Sequence, residues 1–412
     1  MQLTSIEQLK INLDYTCSAF CQYILVLFKE RISFNNSNKK DCLKLNHFMS
    51  QAFQLHIANE LYRAEDILHW NETHADPYVY DVLMYCKKWL SGHDVFELNT
   101  SGSTGTPKTI PIKREQIVAS ATLSLHFFNL KAGDKVCCPL SIYVVGGQMM
   151  LYRSMIGGLD LYVIPPSKNL EGLDTTISYV FMPISGLQLF GVLSQGNQEK
   201  IQTLNQLHNL LIGGSSISNG LLVRIHQTLR CTVWHSYGMT ETVSHVAMKN
   251  VWPKNEEAYT LLEGVEMDID ERSCLRIKGA VTQHAWIQTN DCVSLRDKTH
   301  FNFLGRVDFT VNSGGIKIQV EPIEKKVDSL FDSLSIGTPF FVGAVADDVL
   351  GEKLTLFIND VDWSTEKKEL ILIKLIELLP KYHVPKSIFC IEFDYTASGK
   401  IDRKKTIQKI RR

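Results

Sequence analysis

Long hydrophobic runs are scarce in this 412-residue chain. The longest apolar stretch near its start, residues 19–28, is broken by Gln22, and it is about half of the roughly 20 residues a membrane-spanning helix needs. No basic segment precedes it and no small-residue cleavage site follows, which argues against a secretory signal. An excess of one charge is missing too: 43 Lys+Arg stand against 44 Asp+Glu, a formal net charge of −1. That balance leaves no overall electrostatic footprint for nucleic acid, although it is compatible with a local basic patch. The ten cysteines include no C-x-x-C pair, and Cys17/Cys21 and Cys137/Cys138 lack histidines at zinc spacing. They read as small core hydrophobes in a reducing, cytoplasmic setting rather than as a disulfide framework. Neither a repeat of 20–50 residues nor a low-complexity stretch is visible.

What is present is the composition of a folded protein, 44% hydrophobic and 21% charged, long enough for two or three domains of roughly 100–200 residues each. Residues 1–90 are poor in Gly and Pro, and apolar spacings of three and four predict helices near 6–28, 44–61 and 76–90. Beyond them, short β-type runs at 95–98, 135–139, 159–164 and 232–235 alternate with helical patterns at 114–128, 148–156 and 219–228. Strand–helix alternation predicts a layered α/β domain. From Cys274 to Val320 short strands dominate, and a small α+β unit follows, with helices at 321–331 and 365–379 and strands at 340–346, 353–358 and 387–392. A domain boundary is expected near residues 306–308.

The most informative stretch is Thr100-Ser101-Gly102-Ser103-Thr104-Gly105-Thr106-Pro107-Lys108. It follows the predicted strand at 95–98 and precedes the predicted helix at 114–128. Glycines let successive backbone N–H groups turn toward an anion, hydroxyls and a lysine add donors and charge, and a helix N-terminus adds its dipole. A nucleotide triphosphate fits that description, and so does a plain polar surface loop. The spacing is not that of the Walker-type loop.

Further signals follow in order. Gly213-Gly214-Ser215-Ser216 ends an apolar run, which suits close approach to a flat ring. Tyr237-Gly238-Met239-Thr240-Glu241 offers an aromatic face, a hydroxyl for phosphate and a carboxylate suited to Mg²⁺. Asp291 could take two ribose hydroxyls. Gly305-Arg306-Val307-Asp308 precedes Asn312-Ser313-Gly314-Gly315-Ile316-Lys317, and Thr396-Ala397-Ser398-Gly399-Lys400-Ile401-Asp402-Arg403 stands close to the C-terminus.

In this order the motifs resemble the adenylate-forming superfamily of acyl- and aryl-CoA synthetases, peptide-synthetase adenylation domains and luciferases, across residues 96–403. The resemblance implies a large N-terminal multi-layer α/β domain and a small mobile C-terminal α+β domain. The corresponding segments are an atypical helical 1–90, an AMP-binding core at 91–307 and a lid at 308–412. It implies ATP, Mg²⁺ and CoA as cofactor and co-substrates. Thr100–Gly105 and Lys108 would hold the phosphates, Gly213, Gly214, Ser215, Tyr237, Gly238 and Met239 the adenine side, and Asp291 and Arg306 the ribose. Thr240 would contact phosphate and Glu241 would hold Mg²⁺. Lys400 would be the adenylating lysine, Asp308 the hinge, and Ser313, Gly314 and Gly315 part of the thiol tunnel.

Within that superfamily, Gly147-Gln148-Met149-Met150-Leu151-Tyr152-Arg153-Ser154 and Asn312, where many relatives carry lysine, resemble the o-succinylbenzoate–CoA ligases of menaquinone synthesis. Tyr143, Gly147 and Arg153 are the candidate acyl-pocket residues. Arg153 could read a second substrate carboxylate or be a solvated or structurally paired helix residue. The departures are Asn290, where relatives often have glycine, the missing histidine near Val144, and residues 1–90, which do not resemble the usual first subdomain. His235 reads as a packed or pocket-wall residue, and Arg403-Lys404-Lys405 and Arg411-Arg412 as a solvated tail. The leading reading is an acid–thiol ligase forming an acyl-CoA. The alternatives are a ligase loading an acyl-carrier protein and a non-catalytic adenylate-binding module. Expected partners are small molecules, with no nucleic acid, no membrane span and a possible homodimer.

Overall fold

A computed structural model of the chain describes residues 52–99, 109–214, 216–395 and 401–411. They fall into two compact units, one built from residues up to Leu98, Ile110–Gly214 and Arg230–Val246, the other from Asn99–Thr109, Ser215–Leu229 and Ala247 onward.

The first unit opens with β1 (Gln54–Ile57) and β2 (Glu60–Arg63), an antiparallel pair, followed by the short α1 (Ala64–His69). Helix α2 (Pro77–Leu90) has a local reason to start where it does. Asp76 accepts the N–H groups of Tyr78 and Val79, and Pro77 takes the first turn, where its missing N–H costs nothing. Val79, Val82, Leu83, Cys86 and Trp89 form its buried stripe. Then come β3 (Val95–Asn99), β4 (Thr109–Lys113), α3 (Arg114–Phe127), β5 (Lys135–Cys138), α4 (Val145–Gly157), β6 (Asp160–Val163), β7 (Phe181–Ser185), α5 (Gly186–Gln195), α6 (Gln198–Gln206), β8 (Asn209–Gly213) and β9 (Thr232–Gly238).

Within this unit the strand order is β9-β8-β7-β5-β6-β1-β2. The pairs β8–β9, β7–β8, β5–β7, β5–β6 and β1–β6 are all parallel. Parallel strands are covered on both faces and so read as apolar runs, as Val136–Cys138 and Leu210–Ile212 do. Helix α4 is buried almost all round, from Gly147 to Met155, with Arg153 its one charged residue.

The second unit holds α7 (Asn219–Thr228), β10 (His245–Trp252) from Ala247 onward, and the strands β11 (Tyr259–Leu261), β12 (Glu266–Ile269), β13 (Cys274–Lys278), β14 (Ile287–Leu295) and β15 (His300–Arg306). Five of these strands run β12-β13-β14-β15-β11 in an antiparallel array, and β10 joins at β11. A second sheet contains β16 (Val311–Ser313), β17 (Ile316–Ile318), β18 (Phe340–Asp347), β19 (Gly351–Ile358) and β20 (Ser387–Cys390). Helices α8 (Val320–Ser333) and α9 (Thr365–Leu378) share its core through Ile323, Val327, Phe331, Leu356, Ile371 and Leu375, and α10 (Arg403–Gln408) ends the unit.

Most of the expected elements appear with small shifts in their ends. One expectation is corrected. The helix expected over 44–61 is, in its described part, the β1–β2 hairpin. Leu55 and Ile57 alternate with His56 at period two, and pairing with β6 buries both while His56 meets Asp160. The helix expected over 114–128 is α3, and between it and the Thr100–Lys108 stretch lies β4, which pairs with β3. That loop, the helix expected at 6–28, Ser215 and Lys400 lie outside the described residues.

Candidate functional site

In the first unit, β8 delivers Gly213 to its C-terminal end and Gly214 turns the chain with φ +85°, a conformation that glycine adopts without strain. A Cβ on Gly213 would stand 3.1 Å from Ser236 Oγ, so this corner is tightly packed. Next to β8, β9 carries His235 and Tyr237, both buried, and ends at Gly238. Here glycine is required by space. A Cβ would lie 2.2 Å from Ser244 O and 2.5 Å from His245 Cα.

The turn that follows is held by Thr242. Its hydroxyl accepts from Met239 N at 3.0 Å and donates to Ser244 O at 2.8 Å. Thr240 is thereby buried and Glu241 exposed on a single 3₁₀ turn. Thr242 closes the motif read from the sequence, where a second threonine in a Thr-Glu-Thr run suggests no role of its own. Among the described residues no three His, Cys, Asp or Glu side chains converge on a metal position. Glu241, the expected Mg²⁺ carboxylate, is exposed and so open to an ion that commonly pairs one or two carboxylates with phosphate oxygens and water.

In the second unit, Asp291 on β14 and Arg306 on β15 are register partners. Arg306 Nη1 stands 2.8 Å from Asp291 Oδ1, and Nη2 stands 2.6 Å from Asp308 Oδ2. Asn290 Nδ2 donates to the other Asp308 oxygen at 3.1 Å. The glycine-to-asparagine departure at position 290 thus supplies a bond to the expected hinge residue. Glu321, at the start of α8, accepts from Arg306 N at 2.8 Å, and burial raises its carboxyl above the ordinary range. Its other oxygen presses on Gly305, where a Cβ would approach to 2.4 Å. Ser313, Gly314 and Gly315 lie on the β16–β17 hairpin, whose two glycines have φ +59° and +84°, the backbone of a tight right-twisted turn.

The candidate acyl residues lie in the first unit. Gly147 lets α4 pack onto the preceding turn, for a Cβ there would meet Ser141 O at 2.2 Å. Tyr143 is half exposed and donates to Asp81 Oδ2 at 2.6 Å, a bond that pushes its phenol up to about 12. It borders an open cleft of about 450 Å³ lined also by Asp81, Met84, Tyr85, Lys88 and His93.

Arg153 is 2% exposed, and burial pushes its guanidinium down to about 10. Nη1 contacts Met150 Sδ at 2.9 Å, and Nε has no hydrogen-bond partner among the described residues. The solvated alternative is thereby corrected, and among the described residues no carboxylate pairs with this side chain. Gln148 Oε1, Ser154 Oγ and Thr122 Oγ1 are also buried with no hydrogen-bond partner among the described residues. His245, bonded to Ser124 Oγ at 2.6 Å, is held neutral by burial and by the Arg153 charge.

The solvated-tail reading is corrected at Arg403, while Lys405 stays exposed and makes a surface ion pair. Arg403 packs against Glu324, with Nη2 donating to Oε2 at 3.0 Å, and Lys405 Nζ stands 3.3 Å from Asp394. The partners lie 79 and 11 residues upstream, distances at which sequence offers no pairing signal.

Residues 37–275 match the AMP-binding enzyme family. Over 96% of this chain and 91% of its own length, the 2-succinylbenzoate–CoA ligase of Staphylococcus epidermidis is 24% identical. The D-alanine–D-alanyl carrier protein ligase of Listeria monocytogenes is also 24% identical, over 74% of this chain and 68% of its own. Among solved structures, an acyl-CoA synthetase (AMP-forming)/AMP-acid ligase II-like protein from Dyadobacter fermentans is 36% identical, with a TM-score of 0.54 over 82% of this chain and 95% of its own. The o-succinylbenzoate coenzyme A synthetase of Bacillus subtilis, solved with ATP and magnesium ion, is 19% identical, with a TM-score of 0.62 over 75% and 69%. Among the described residues no helix is long and apolar enough to cross a membrane. With a match spanning more than half of its length and a 36% identical relative covered nearly end to end, the chain belongs to the AMP-binding enzyme family and is an adenylate-forming ligase of the AMP-forming acyl-CoA synthetase type.

Proposed function

We propose that this enzyme adenylates o-succinylbenzoate, releasing pyrophosphate, and transfers the acyl group to CoA. The observation that carries the choice of acid is Arg153. Among the described residues no carboxylate pairs with this buried guanidinium, a state that is unfavourable by several kcal/mol in an apolar interior and that a second substrate carboxylate would relieve. The 2-succinylbenzoate–CoA ligase similarity over nearly the whole chain supports the same choice. Tyr143 and Gly147 would shape the acyl side, Tyr143 through the cleft it borders and Gly147 by letting α4 approach.

Carboxylate attack on the α-phosphate brings two anions together, so cations must offset the charge as it builds. Mg²⁺, when bound, supplies that stabilisation on the phosphates. Thr100–Gly105, Lys108 and Thr240 would hold phosphate oxygens, and Ser215 with Gly213, Gly214, Tyr237, Gly238 and Met239 the base. The Asp291–Arg306 pair would take the ribose hydroxyls. Lys400 would bridge the acid and the α-phosphate. Residues 308–412 would turn about Asp308 so that Ser313, Gly314 and Gly315 face the incoming thiol.

The test is pyrophosphate release with ATP, Mg²⁺ and CoA across o-succinylbenzoate, benzoates, cinnamates and medium-chain fatty acids, with Lys400→Ala as control. Selective turnover of o-succinylbenzoate, lost in the variant, is expected. Preference for a monocarboxylic acid would overturn the choice of substrate. Pyrophosphate release without a CoA thioester would instead favour a carrier-protein acceptor, the reading that the carrier-protein ligase similarity supports.

A further inference from the structure

Cys274 on β13 and Cys292 on β14 are register partners, both buried, and their sulfurs stand 3.8 Å apart as free thiols. Each sulfur also lies 3.9 Å from one acceptor, Arg272 O, so the two gather on a single oxygen. Directly opposed residues of antiparallel strands have Cα atoms about 4.5–5.5 Å apart, within the range of about 4.4–6.8 Å that a disulfide spans. Neither strand has to slide for the two to be joined. The sulfurs have only to close from 3.8 Å to about 2.05 Å.

The two thiols are not equivalent. Cys274 is fully buried, and burial, followed by the neighbouring Cys292, pushes its thiol up to about 12. Cys292 keeps 6% exposure, and the Gln319 side-chain amide donates to its sulfur at 3.6 Å. That donor stands where negative charge would develop on an attacking sulfur. Cys292 is therefore the sulfur that reacts first, and Cys274 the one that resolves it.

The strand around the pair is irregular. Cys274 lies opposite Cys292, but the next register pair is Arg276 with Gln288, so residues 289–291 stand against Leu275 alone. A second shift falls between Cys292 and Val293 on the β15 side. This bulge carries Asn290 and Asp291, which hold Asp308 at 3.1 Å and Arg306 at 2.8 Å. Ladder bonds are locally interrupted at a bulge, so strain from joining the sulfurs is taken up there first.

We propose that Cys274 and Cys292 form a reversible modification site: a peroxide joins them as a disulfide, which shifts Asp291 and weakens ATP binding, and a small thiol reopens them. The effect on ATP rests on the reading of Asp291 as the ribose carboxylate. With hydrogen peroxide, Cys292 Sγ attacks one oxygen and the O–O bond breaks, giving Cys292 sulfenic acid and water. Cys274 Sγ then attacks the sulfenic sulfur, the S–O bond breaks, and the S–S bond forms. Each thiol proton leaves on a departing hydroxide as water, so two thiols and one peroxide give one disulfide and two waters. A resolving thiol already alongside stops the oxidation before the irreversible sulfinic acid. Two molecules of a small thiol restore the pair by exchange and leave as their own disulfide.

The experiment treats the full chain with hydrogen peroxide, maps its peptides by mass spectrometry, and measures the Kd for ATP with Mg²⁺ by calorimetry, which needs no acid. A disulfide joining 274 to 292 is expected, with a Kd raised roughly 5- to 10-fold, the weight of about one hydrogen bond. Dithiothreitol should reverse both. Cys274→Ala removes the resolving thiol, so peroxide should leave on Cys292 a sulfenic acid that dimedone labels. Cys292→Ala should show neither that label at Cys274 nor a change in Kd on oxidation. Both variants should bind ATP as the reduced wild type does. Absence of the 274–292 cross-link, or a cross-link with an unchanged Kd, would overturn the proposal. Both are read on the wild type and so hold even where an alanine variant fails to fold. Asp291→Asn binding ATP as tightly as wild type would instead refute the ribose reading.

Discussion

Asp291 and Arg306 face each other across β14 and β15, and their side chains meet at 2.8 Å. The same guanidinium reaches Asp308, so the proposed ribose carboxylate and the proposed hinge carboxylate share one cation. In that reading ribose binding and hinge orientation would be joined through Arg306.

Replacing Arg306 with Gln should therefore act twice. Losing a charge-assisted hydrogen bond to a buried carboxylate costs about 1.5–3 kcal/mol, roughly a 10- to 150-fold rise in the KM for ATP if the ribose shares the pair. The thiolysis half-reaction should change as well, because Asp308 loses its cation. Steady-state kinetics of both half-reactions check this, and an unchanged KM for ATP would remove Arg306 from the ribose site.

Arg153 predicts an exchange of stability for specificity. Arg153→Met fills similar space without a buried charge, and such replacements are often neutral or stabilising by about 1–4 kcal/mol. The melting temperature should hold or rise. Over the same change, the KM for o-succinylbenzoate should increase at least tenfold and that for benzoate should stay level. An unchanged KM for the diacid would assign Arg153 to packing alone.

His245 gives the pH dependence a sign. Burial, then the Arg153 charge, holds the folded imidazole well below its ordinary pKa of 6.5. Below that value the unfolded chain binds a proton that the folded chain refuses, so stability is complete above about pH 6.5 and is lost as pH falls. One such group contributes a slope of up to about 1.4 kcal/mol per pH unit. Urea unfolding at pH 5–7.5 should show that slope. His245→Gln should flatten its upper part while lowering stability at pH 7.5 through the altered bond to Ser124.

Gly238→Ala tests the packing of the Tyr237 turn. The added Cβ meets backbone at 2.2 Å, which cannot move aside as a side-chain tip can. Overpacking of this kind costs about 1–3 kcal/mol, read as a lower urea midpoint at unchanged slope. The KM for ATP should rise with it, as Thr240 and Glu241 sit on the displaced turn.

Sequence by itself determined the order of motifs, the strand–helix alternation and most element positions, because these rest on local periodicity, turn residues and caps such as Asp76-Pro77. It misread 54–63, where a period-two pattern is too short to outweigh helical spacing until β6 offers a partner to Leu55 and Ile57. Only tertiary structure decided the rest. The burial of Arg153, the sharing of Arg306 by two aspartates and the tie from Glu324 to Arg403 each depend on which distant strand or helix arrives alongside. Such pairings are set by packing and by the cost of leaving a buried charge alone, and neither leaves a periodic trace in the chain.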